Sequence, residues 1–84
     1  MNQSELLQTI NTYNNTKRSI IKTNLKRVMR LYRFKSADVM QLGYARHNVY
    51  SWGNSRANNI PMFDQALTIG VNFNFDVREF LKVV

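Results

Sequence analysis

The chain contains no cysteine, which excludes disulfide staples, thiolate metal ligands and cysteine nucleophiles together. It has a single histidine, His47, so no histidine cluster exists to hold zinc, and no metal or cofactor is expected. Acids are few and scattered: Glu5, Asp38, Asp64, Asp76 and Glu79 are the complete set. With no glycine-rich phosphate loop and no nucleophile placed beside a base, the sequence does not read as an enzyme. No apolar run approaches the roughly 18–20 residues of a membrane span, and the polar start Met1-Asn2-Gln3-Ser4 is unlike a signal peptide. These absences lead us to expect a soluble cytoplasmic protein. Its 84 residues suffice for one domain with a limited core.

Positive charge, by contrast, is plentiful. The net charge is +7, and eight of the twelve basic residues fall in one stretch: Lys17, Arg18, Lys22, Lys26, Arg27, Arg30, Arg33 and Lys35. No acid interrupts them. A block of one sign creates a positive field over one region, which predicts a polyanionic partner, either nucleic acid or an acidic protein surface.

Apolar spacing predicts an all-α fold. Ser4 is expected to cap a first helix with Leu6, Leu7, Ile10 and Tyr13 on one side, broken by Asn14-Asn15-Thr16. From Lys17 to Arg33, Ile21, Leu25, Val28 and Tyr32 recur at helical spacing, with Lys22, Lys26 and Arg30 forming a basic ridge on another side. Ser36 is expected to cap a short helix from Ala37 to Leu42, closed by Gly43. Another runs from Ala45 or Arg46 to Trp52, stopped by Gly53-Asn54-Ser55. Pro61 marks the first turn of a helix carrying Phe63, Ala66, Leu67 and Ile69 and ended by Gly70. Residues 71–75 alternate like a strand but have no partner strand, so they read as an extended connector with Phe73 and Phe75 turned inward. Asp76-Val77-Arg78-Glu79 fits a capping box, with Phe75 and Phe80 as its hydrophobic staple, opening a last helix to Val83.

Two short helices joined through Gly43 form a helix-turn-helix pattern. Val39 and Leu42 hold the first helix to the core; Val49 and Trp52, three apart, hold the second. Arg46, His47, Asn48, Tyr50 and Ser51 then lie on outer or end-facing positions of a rod that fits the major groove of B-DNA. The segment Leu42-Gly43-Tyr44-Ala45-Arg46-His47-Asn48-Val49-Tyr50-Ser51-Trp52 resembles the core of lambda-repressor-like domains, the Cro/C1-type (XRE-like) DNA-binding family. The resemblance runs from about Asn24 to Leu81, roughly two-thirds of the chain. Asp38 departs from it, standing where the family is usually apolar; this predicts weaker packing of the first short helix and a register open by about one residue.

The resemblance implies base contacts for Arg46, His47, Asn48 and Ser51, with Arg46 donating to guanine O6 and N7 and Asn48 pairing with adenine. It implies phosphate contacts for Lys35, Asn54 and Arg56. Tyr50 is open between a phosphate contact and a protein interface. Lys17, Arg18 and Lys22 are within reach of neighbouring phosphates, although no motif places them there. The fold expected is a five-helix lambda-repressor-like domain over residues 17–84, with residues 1–16 as an added helix or arm. The function expected is that of a phage or bacterial transcriptional repressor that binds a double-stranded operator as a homodimer, acting at the nucleoid of a bacterial cell or phage-infected host. The dimer surface is expected on Phe80, Leu81, Val83 and Val84, or on Leu6, Leu7 and Ile10. The alternative is a protein-interaction module of the same fold, antirepressor or antitoxin-like, that binds another regulator.

Overall fold

A computed structural model describes residues 1–83. They form five α-helices and one terminal 3-10 helix, with no strand among the described residues: α1 Gln3–Asn15, α2 Arg18–Leu31, α3 Ser36–Met40, α4 Arg46–Gly53, α5 Phe63–Phe73, and the 3-10 helix Val77–Leu81. The all-α expectation holds. Val84 lies outside the described residues, and with it one residue of the expected C-terminal dimer surface.

α2 is the central beam. Ile21, Leu25 and Val28 are buried along one side, each contributing about 1.5–3 kcal/mol by leaving water. The 3-10 helix and α4 pack against it, α3 packs on α4, and α1 and α5 close the core together with the 3-10 helix. Tyr32, expected to continue the buried stripe, is instead the C-cap of α2 and partly exposed, its ring stacked on Phe75 at 5.1 Å. The helix has already turned at that point, because Arg33 takes a left-handed backbone with φ 57.

α1 starts one step before Ser4. Asn2 is the cap, its Oδ1 accepting the Glu5 N–H at 2.8 Å, which leaves Ser4 inside the first turn. The buried side of α1 is Thr9 and Tyr13, with Leu6 and Ile10 half-buried and Leu7 61% exposed. Tyr13 docks the helix: its ring meets Phe63 and Phe80 edge-on, and its hydroxyl donates to the Pro61 carbonyl at 2.7 Å. Burial pushes that phenol's pKa up.

Several boundaries differ from the expected ones, each for a local reason. Lys35, not Ser36, caps α3, and Asp38 accepts the Lys35 N–H at 2.8 Å. Asp38 therefore closes the helix start rather than facing the core, and Val39 supplies the buried contact. Pro61 precedes α5 rather than opening it. α5 continues through Gly70 to Phe73 and ends at Asn74, whose φ of 63 provides the left-handed stop. Residues 71–73 are thus the last turn of a helix, not a connector. Asp76 accepts from the Arg78 N–H instead of that of Glu79, and Glu79 turns away to Arg27 and Lys82. The expected staple contact between Phe75 and Phe80 is present, with centroids 5.6 Å apart. Phe80 is fully buried, however, and so belongs to the core rather than to a dimer surface.

Candidate functional site

α4 is mounted on the core by one side. Val49 and Trp52, one helical turn apart, are both buried, and the Trp52 ring meets Tyr44 edge-on at 5.6 Å. Tyr44 comes from the turn between α3 and α4, where Gly43 has φ +99, a conformation strained for any residue with a Cβ. The C-terminal end of α4 is fixed from below. The Lys22 ammonium donates to the Ser51 carbonyl at 2.8 Å and to the Trp52 carbonyl at 3.2 Å. Last-turn carbonyls lack helical donors and carry partial negative charge, so a cation satisfies them twice over. Lys22 is 6% exposed. It was expected on the basic ridge within reach of phosphates; it is turned inward instead. Burial lowers its pKa, and the nearby charges of Lys26 and Arg18 lower it further.

The opposite side of α4 is open. Arg46, His47 and Tyr50 are exposed, and Asn48 is half-buried. The Arg46 guanidinium lies 5.5 Å from the centre of the Tyr50 ring, one turn along, a cation–π contact that lays the side chain along its own helix. Ser51 is half-buried and less free than expected: its hydroxyl accepts from Asn59 Nδ2 at 2.9 Å, which ties α4 to the loop that follows. Arg18 fixes the same loop by donating to the Asn58 carbonyl at 2.9 Å. Asn54 Oδ1 accepts the Arg56 N–H at 3.0 Å, shaping the loop's first turn, and both side chains are exposed. Lys17 and Lys35 are exposed at the starts of α2 and α3.

The charges are sorted between two regions. Around the 3-10 helix, Arg27, Arg78 and Lys82 pair with Glu79, Asp76 and Glu79 at 3.1, 2.6 and 2.7 Å, and Arg78 also lies 3.9 Å from Glu5. Lys17, Lys26, Arg30, Arg33, Lys35, Arg46 and Arg56 form no salt bridge among the described residues. Glu5, Asp76 and Glu79 thus neutralise one region, and apart from Arg27 the cations of α2, α3 and α4 have no salt-bridge partner among the described residues.

Sequence reasoning missed three structural polar residues on α2. Asn24 is fully buried and donates to the Phe80 and Lys82 carbonyls, both at 2.7 Å. A signal existed: Asn24 stands three residues after Ile21 and four before Val28, inside the apolar stripe. Arg27 reaches Glu79, and Lys22 reaches α4; no local pattern announces contacts with residues about 50 and 30 positions away. Among known proteins, no family model, no curated sequence and no solved structure matches this chain.

Proposed function

We propose that the protein is a sequence-specific double-stranded DNA-binding regulator of the Cro/C1 type, α3 and α4 forming its helix-turn-helix and α4 entering the major groove. The mounting of α4 carries this reading: Val49 and Trp52 bury one side and Lys22 clamps its end, while Arg46 and His47 stay in solvent. A rod held rigidly by its back, with long polar donors on its front, has the width and chemistry that major-groove reading needs. Arg46, His47 and Asn48 take the base-contacting roles. Ser51 joins them only by exchanging its bond to Asn59. Lys35, Tyr50, Asn54, Arg56, Lys17 and Arg18 take phosphate contacts. No catalytic step is assigned. We further propose that it represses transcription as a homodimer, for which the exposed Leu7 and its half-buried neighbours Leu6 and Ile10 offer an apolar strip.

Selection of bound duplexes from a random pool tests the proposal. An operator binder prefers one sequence over random DNA by about 10³-fold or more. On that duplex Arg46→Ala costs about 1–3 kcal/mol and relaxes preference at one base pair. Equal binding to every duplex overturns sequence-specific regulation. No duplex binding, with tight capture of a protein instead, favours the interaction module of the same fold.

A further inference from the structure

Where α2 ends and α3 begins, an open cleft of about 600 Å³ is lined by Lys26, Arg30, Arg33 and Lys35 over Met29 and Phe34. Four cations face it and no carboxylate lines it. The nearest acid along the chain, Asp38, has one oxygen committed to the Lys35 N–H. Like charges gathered around one cleft repel, and an anion bound among them relieves that repulsion.

The backbone supplies an independent observation. α2 closes with the Phe34 N–H donating to the Met29 carbonyl at 3.1 Å, the wrap that places the residue between Tyr32 and Phe34 in the left-handed region. Glycine is the usual occupant there because it has no Cβ to clash. This chain places Arg33 at that point, with φ 57. The guanidinium forms no salt bridge among the described residues. A strained residue whose side chain has no ion-pair partner among the described residues directs attention to a ligand.

We infer that this cleft is a phosphate-binding site for the nucleic-acid backbone, formed by Lys26, Arg30 and Arg33 together with Lys35. The Phe34–Met29 wrap sets the Arg33 backbone, and an arginine rather than a glycine occupies that point because its guanidinium serves the site. Of the four residues, only Lys35 was expected to touch phosphate. The inference rests on the duplex-binding reading above. Phosphodiester is favoured over an acidic peptide because the cleft is bordered by the start of α3, the helix packed on α4, which is the rod proposed to enter the groove.

The test uses the full chain and a random-sequence duplex of about 25 base pairs, titrated between about 50 and 200 mM salt, where each lost phosphate contact lowers the slope of log K against log[salt] by about 0.9. Arg33→Gly is expected to lower the slope by about that amount, leaving base preference on the selected duplex intact. Relief of strain is expected to hold its Tm or raise it by about 4 °C. Arg33→Lys keeps the slope, and Lys26→Ala with Arg30→Ala lowers it by about 1.8. An unchanged slope in Arg33→Gly and the double variant overturns the inference while leaving duplex binding by α4 standing. A lower Tm in Arg33→Gly also overturns it, because the side chain would then be structural. A wild-type protein that binds no duplex but captures a polyglutamate peptide, with capture lost in the same variants, makes the cleft a protein-docking site and removes the duplex reading as well.

Discussion

Lys22, Asn24 and Arg27 lie within two turns of α2, and each directs polar atoms at backbone carbonyls of another element: Ser51 and Trp52, Phe80 and Lys82, and Glu79. A buried carbonyl without a donor costs about as much as a lost hydrogen bond, so these side chains fix where α4 and the 3-10 helix end. Lys22 is the most informative, because its loss has opposing effects. Lys22→Met removes the cost of burying an ammonium but takes its charged donor from the Trp52 carbonyl and leaves the Ser51 carbonyl only the Asn54 N–H at 3.2 Å, and charged hydrogen bonds are worth about 1.5–3 kcal/mol. We expect a net loss of about 1–2 kcal/mol in urea unfolding, with weaker duplex binding because α4 loses its lower anchor. An unchanged urea midpoint would show that Val49 and Trp52 suffice to hold the helix. Arg46, exposed on the other side, is expected to affect binding and leave stability alone.

Helix α5 shows how local grammar and tertiary contact divide the work. Glycine near a helix end reads as a stop, yet α5 runs past Gly70 and stops at Asn74. Gly70 is needed for close approach: a Cβ built there would lie 2.6 Å from the Phe75 carbonyl oxygen, whose residue also donates its N–H to the Gly70 carbonyl at 2.9 Å. Inside a helix, alanine in place of glycine ordinarily gains about 1 kcal/mol. Here the obstructing atom is backbone, which cannot swing aside, so steric cost prevails. Gly70→Ala is expected to destabilise by about 1–2 kcal/mol, read as a fall in Tm. A rise in Tm would mean that the chain after Asn74 shifts freely. The apolar alternation of residues 71–75 misled for a related reason. Phe73 stacks on Phe34 at 4.1 Å and Phe75 on Tyr32, so both are held by aromatic partners about 40 residues away, whichever local conformation carries them.

At the scale of the molecule, the uneven use of five acids shapes both stability and charge. The Lys82 ammonium, and after it the Arg27 guanidinium, holds the Glu79 carboxyl below its ordinary pKa; the Arg78 guanidinium does the same for Asp76. A carboxyl whose folded pKa is depressed binds its proton less readily than in the unfolded chain. Its stabilisation is therefore complete above the ordinary carboxylate range, near 4, and is lost as pH falls through the folded values. Unfolding midpoints should drop below about pH 4, and Glu79→Gln should flatten that drop. An acid limb equally steep in Glu79→Gln would place the dependence elsewhere. The same pairs withdraw Arg27, Arg78 and Lys82 from the molecule's free charge, which leaves the positive field to the starts and ridges of α2, α3 and α4. No helix among the described residues is long and apolar enough to cross a membrane.

Helical content, the stripe of Ile21, Leu25 and Val28, the Gly43 turn and the pairing of Val49 with Trp52 were determined by the sequence alone, because each depends on periodicity or on a backbone preference acting within a few residues. Tertiary structure alone decided the inward turn of Lys22, the burial of Asn24 and Phe80, the use of Gly70 and the gathering of Lys26, Arg30 and Lys35 beside Arg33. Those outcomes depend on which distant carbonyl, ring or charge the fold brings near, and spacing along a chain carries no record of that.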